Sequence, residues 1–126
     1  MPIAVELIKQ GRVALQTYSD PLVMQDLELL NDRMRIEILA PATHKVHILA
    51  DFRLVRHLPI FILARGASQL DRAHPNTGTI VGILENPMIY RMGLMFASLV
   101  PKHAVLVARS FDEAMKMIDD LLANEQ

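Results

Sequence analysis

The stretch Thr79 to Leu84 reads Thr-Ile-Val-Gly-Ile-Leu, a continuous apolar run with no polar alternation. A strand of that kind needs cover on both faces, which an isolated sheet with one wet face does not provide. Two further segments read as strands, Lys45 to Asp51, centred on Val46, Ile48 and Leu49, and Ala104 to Ala108. The start of the chain differs. Ile3, Val5 and Leu7 alternate with smaller or polar neighbours, as do Val13, Leu15 and Thr17, and the link Lys9-Gln10-Gly11-Arg12 is short and polar. That pattern predicts an antiparallel hairpin of half-buried strands at a sheet edge.

The segments between the apolar strands carry helix signals. Ser19-Asp20-Pro21 places a capping residue before a proline suited to a first helical turn, and Leu22, Leu27, Leu30, Met34 and Ile38 follow at mostly helical spacings. This helix should stop before Pro41. A weaker helix is expected over Leu58 to Leu70, then a turn at His74-Pro75-Asn76-Thr77-Gly78. Asn86-Pro87 opens another helix. Ser110-Phe111-Asp112-Glu113 is a capping box before a final amphipathic helix, whose inner face is Ala114, Met117, Ile118, Leu121 and Leu122. The order ββαβαβαβα predicts an α/β fold: a mixed, mostly parallel sheet with an N-terminal antiparallel hairpin and about four helices.

At 126 residues, with 52% hydrophobic and 21% charged residues, the chain fits one domain spanning 1–126 with a sizeable core. A net charge of -1 gives no global reason to expect nucleic acid or an anionic membrane as partner. The lack of cysteine excludes disulfides, thiolate metal sites and thiol catalysis. The opening residues lack the layout of a secretory signal. The longest apolar stretch, Met88 to Val100, falls short of the ~20 residues of a membrane span and contains Arg91. A cytoplasmic, non-spanning protein is the expectation.

The strand ending Val46-His47-Ile48-Leu49-Ala50-Asp51 and the closing Ser110-Phe111-Asp112-Glu113-Ala114, taken with the order of elements over nearly the whole chain, resemble the STAS domain. This is the fold of anti-sigma-factor antagonists and of the cytoplasmic tails of sulfate transporters. The resemblance implies a STAS-like fold used for protein contacts and sometimes for small ligands. In the antagonists, the strand Asp is followed by an Asp-Ser-Ser/Thr-Gly motif whose hydroxyl is phosphorylated. The corresponding Leu58-Pro59-Ile60-Phe61 has no acid, hydroxyl or Gly, so the resemblance carries over no phosphoacceptor.

Ligands of open α/β sheets gather beyond the carboxyl ends of the strands. Here Asp51, Arg53, Glu85, Asn86, Arg109 and Ser110 are the candidate ligand-binding residues, with the helix starts at Pro87 and Phe111 as candidate anion receivers. The competing reading makes Asn86 and Ser110 plain helix caps and the charges a solvated rim. The five histidines form no His-x-x-x-His helix pair, no serine lies in a Gly-x-Ser-x-Gly elbow, and no Gly-rich phosphate loop occurs. No metal, cofactor or catalytic residue is therefore expected. An enzyme acting through Asp51 and nearby arginines would rest on position alone.

The helix opening at Pro87 is the more informative segment. Met88, Met92, Met95 and Leu99 form one stripe, Ile89, Phe96 and Val100 a second, and Tyr90, Leu94 and Ala97 a third. A helix apolar around most of its circumference should be covered around most of it. Three covers compete: neighbouring helices, a second copy, or an apolar ligand. A non-enzymatic regulatory or protein-interaction module is expected, self-associating as a homodimer or meeting another protein through Met88, Tyr90, Met92, Leu94 and Met95. The alternative is a binder or carrier of a small apolar or anionic ligand.

Overall fold

The computed structural model describes residues 3–57, 74–101 and 104–125. Strands β1 (Ile3–Ile8) and β2 (Val13–Ser19) form the expected hairpin, with Ile8 opposite Val13. Its loop turns through three successive residues of positive φ, Lys9, Gln10 and Gly11, and Gly11 at +81° is the one that takes this conformation at no steric cost. Helix α1 (Met24–Arg33) runs directly into a π-helical segment, Met34–Leu39, and then come β3 (Val46–Leu54) and β4 (Thr77–Ile83). Helix α2 (Pro87–Ser98), β5 (Val105–Ala108) and α3 (Phe111–Asn124) complete the order. The described residues thus contain three α-helices. The helix expected over Leu58 to Leu70 lies outside them.

The five strands sit side by side in chain order. β1 and β2 are antiparallel and the other three pairs parallel, giving a mixed sheet. Leu15, Leu49, Val81 and Leu106 lie in register across one face, and Gln16, Ala50, Gly82 and Val107 across the other. α3 covers the first face, where Ala114 and Ile118 are fully buried against Val13, Leu49, Val81, Ile83 and Ala108. On the second face Leu30, Met34 and Leu39 from the α1 side and Ile89 from α2 pack with Ala14, Tyr18, Ala50 and Leu84. The apolar run 79–84 is therefore enclosed from both sides, as a central parallel strand requires.

α1 starts later than the Ser19-Asp20-Pro21 signal predicts. Ser19 ends β2, and the N-cap is Val23, which provides no side-chain cap. The Asp20 carboxylate accepts the Arg56 backbone N–H at 2.8 Å instead, tying the exit of β2 to the exit of β3. Helical geometry does end before Pro41, but through a widened last turn in which Ala40 N–H reaches Arg35 O at 2.9 Å. Core spacing widens with it: Leu30 and Met34 are four apart, Met34 and Leu39 five, and all three are buried. The Asn76 side-chain amide then donates to Leu39 O (2.9 Å) and Ala42 O (3.0 Å), satisfying carbonyls left without a helical donor.

On the α1/α2 face Tyr18 stacks on Phe52 with ring centroids 4.4 Å apart, and its hydroxyl donates to Gln16 Oε1 at 2.5 Å. Burial pushes the Tyr18 phenol above its ordinary range because phenolate would lose its hydration. Tyr18→Phe should cost about 1 kcal/mol near neutral pH, by stranding the Gln16 acceptor. Above pH about 10 the unfolded chain ionises at Tyr18 while the folded chain does not, so stability falls there in the parent protein. Urea unfolding followed from neutral to alkaline pH should show a shallower fall in Tyr18→Phe.

Candidate functional site

The strand ends bring several of the expected residues together. Asp51 sits on the α3 face of β3 opposite Thr17 and Ile83, only 5% exposed. It is held by Arg53 two residues on: Nε lies 3.0 and 3.1 Å from the two carboxylate oxygens, Nη2 lies 2.8 Å from Oδ2, and the Arg53 backbone N–H donates to Oδ1 at 3.0 Å. The hydrogen bonds to Asp51 raise the Arg53 guanidinium above its usual range, with Asp51 and Glu85 charge adding to them and burial opposing. Arg53 also lies over the Phe111 ring at 5.1 Å, and Arg109 over Tyr90 at 4.6 Å. Each arginine is thus laid against an aromatic side chain from the first turn of a covering helix.

The helix starts are occupied by their own caps. Asn86 Oδ1 accepts Met88 N–H (2.9 Å) and Ile89 N–H (3.3 Å), and Pro87 has no N–H to offer. Ser110 Oγ accepts Glu113 N–H at 3.1 Å. The Glu113 carboxylate reaches Arg109 N–H at 3.3 Å, one residue earlier than the capping box predicts. The Asp51 carboxylate is neutralised by Arg53. Asn86 and Ser110 work as caps, and Asp51 with Arg53 as an internal pair.

The opposite end of α3 holds an arrangement that spacing does not reveal. His47, 3% exposed, accepts Thr79 N–H on Nδ1 at 2.9 Å, so its proton sits on Nε2, which donates to Glu125 Oε1 at 2.5 Å. Glu125 is also paired with Arg12. One carboxylate near the end of α3 therefore fastens the helix to the starts of β2 and β3. Gly78 leaves room for the imidazole: a Cβ there would lie 2.4 Å from Nδ1. His44, outside the strand, is exposed, and among the described residues no three His, Cys, Asp or Glu side chains converge as metal ligands.

α2 is not covered all round. Ile89 and Gly93 are buried, and Gly93 lets the helix approach the residue that follows β4 so closely that a Cβ would lie 2.2 Å from Leu84 Cδ1. Of the five expected contact residues, Tyr90 and Met92 turn toward the core, Tyr90 beneath Arg109. Met88 is 73% exposed, Met95 68% and Leu94 47%. Leu99, outside that set of five, is 75% exposed and extends the Met88–Met95 stripe by one turn. Within the described residues α2 is therefore enclosed on one side only, and the neighbouring helix expected over Leu58 to Leu70 lies outside them. A deep approach at Gly93 buries a narrow stripe and leaves the facing one outside.

No protein-family model matches the chain, and no curated protein matches it significantly. Among the described residues no helix is long and apolar enough to cross a membrane.

Removing either partner of the Asp51–Arg53 pair separates structural from ligand roles. Arg53→Met should destabilise by about 2 kcal/mol because it leaves a buried carboxylate short of donors, whereas Asp51→Asn should cost about 1 kcal/mol, since Arg53 remains partly hydrated. Denaturant titration of both variants checks the order. Gly78→Ala should cost about 2 kcal/mol or more by displacing the His47 ring from Thr79 and Glu125.

Proposed function

We propose that this chain is a non-enzymatic regulatory or protein-interaction module that self-associates through α2. One observation carries the reading: Met88, Leu94, Met95 and Leu99 are exposed on a single helix that also supplies core residues. Scattered exposed apolar side chains are ordinary, but Met88, Met95 and Leu99 follow one another along one stripe and form a patch of the kind found at protein contacts, with Leu94 on the neighbouring stripe beyond Arg91. A two-fold pair of α2 helices is the simplest closed assembly that covers it. Methionine suits such a contact because its unbranched thioether adapts to whatever faces it.

Order-of-magnitude energetics set the strength. Burying four such side chains from each of two copies contributes on the order of 10 kcal/mol, and association takes back about half of it, so the contact is weak and reversible, with a Kd of about 0.1–1 mM. The fold is proposed to be STAS-like and the protein cytoplasmic. The ββαββαβα order of the described elements and the sequential mixed sheet support the first. The segment Leu58 to Phe61, which lacks the family's hydroxyl, lies outside the described residues.

Sedimentation velocity from micromolar to millimolar protein should show a monomer–dimer shift. Met95→Glu should hold the protein monomeric at every concentration with an unchanged melting temperature, because Met95 contributes little to the core. A parent protein that stays monomeric throughout this range contradicts the proposal.

A further inference from the structure

The chain has eight methionines and no cysteine. Thiolate is the sulfur that oxidants attack first where it is present; here thioether sulfur is the available target. Exposure then decides which methionines react. Among the seven described, Met34 is buried at 4% exposed, Met24, Met92, Met115 and Met117 are half-buried, and only Met88 and Met95 are exposed. These two sit seven residues apart on α2, two helical turns along the same face, about 10 Å from each other. The most oxidisable positions therefore coincide with the centre of the outward apolar stripe.

We propose that Met88 and Met95 are a paired oxidation site that switches the α2 face from an associating to a non-associating surface. This rests on the self-association reading above. The reactant is a peroxide. The thioether sulfur attacks one peroxide oxygen, the O–O bond breaks, and the sulfur becomes a sulfoxide as hydrogen peroxide is reduced to water. Sulfur gives up two electrons, and the proton of the transferred hydroxyl passes to the departing hydroxide, which leaves as water. The sulfoxide oxygen is a strong acceptor, and a second copy of α2 offers mainly apolar side chains to meet it. The core is spared because Ile89 and Gly93, not the two outer methionines, face the sheet.

Limited treatment with hydrogen peroxide, followed by peptide mass spectrometry and sedimentation of the same sample, tests this. Met88 and Met95 should be converted first, with Met34 unmodified, and dimerisation should weaken by about tenfold or more per sulfoxide, as expected for burying an unmatched acceptor. Methionine sulfoxide reductase should restore association. The double variant Met88→Leu, Met95→Leu should dimerise and ignore peroxide. Equal oxidation of Met34, or a dimer that persists with both sulfoxides formed, overturns the switch alone. A protein monomeric before peroxide overturns the self-association reading and the switch with it.

Discussion

The structure depends on enclosing β3 and β4, which each have a parallel neighbour on both sides and expose apolar residues on both faces. Everything else is arranged around that need. α3 lies along one face with Ala114 and Ile118 fully buried, capped by Ser110 at one end and fastened by Glu125 to His47 and Arg12 at the other. On the second face the cover comes from α1, its π-helical extension and α2. Among the described residues, five of the six largest side chains that are buried almost completely, Val13, Leu49, Val81, Ile83 and Ile118, belong to the α3 face. The tightest packing is thus on the side whose helix is anchored at both ends.

The second face is where covering the sheet and covering the helix come into conflict. Gly93 draws α2 onto Leu84 and Val107, which fills the sheet surface well but with a narrow strip of helix. Arg91 and Ser98 are exposed on its far side and would end the matter if they filled it. α2 instead carries Met88, Met95 and Leu99 outward, so the element that completes one apolar contact presents another. The functional proposal follows from this mismatch and not from any constellation of reactive groups. At the strand ends Asp51 and Arg53 satisfy one another, the caps use the helix N–H groups, and Arg53 and Arg109 rest on Phe111 and Tyr90.

Much of the fold was legible because its signals are local. The hairpin was readable from alternation, α2 from Asn86-Pro87, and α3 from Ser110 and Glu113. The α1 start was misread because Asp20 has a competing partner, Arg56 N–H, thirty-six residues away, which no local pattern discloses. The π-helical turn was hidden because a five-residue core spacing at its end looks like a lapse in a four-residue one. At the candidate site, the stripe 88/92/95/99 was visible as a spacing, yet which side of α2 faces the sheet depends on the close approach at Gly93. Tyr90 and Met92 were placed outside for that reason. The His47–Glu125 contact joins residues 78 apart and carries no signature at all.

The central claim is that the outward face of α2 meets a second copy of itself. Methyl NMR of protein labelled at the methionine methyl groups reads this side chain by side chain. As concentration rises from micromolar to millimolar, the Met88 and Met95 methyl resonances should shift or broaden, with new contacts between copies, while buried Met34 stays where it is. Met88 and Met95 resonances that do not move over the whole range would contradict the account.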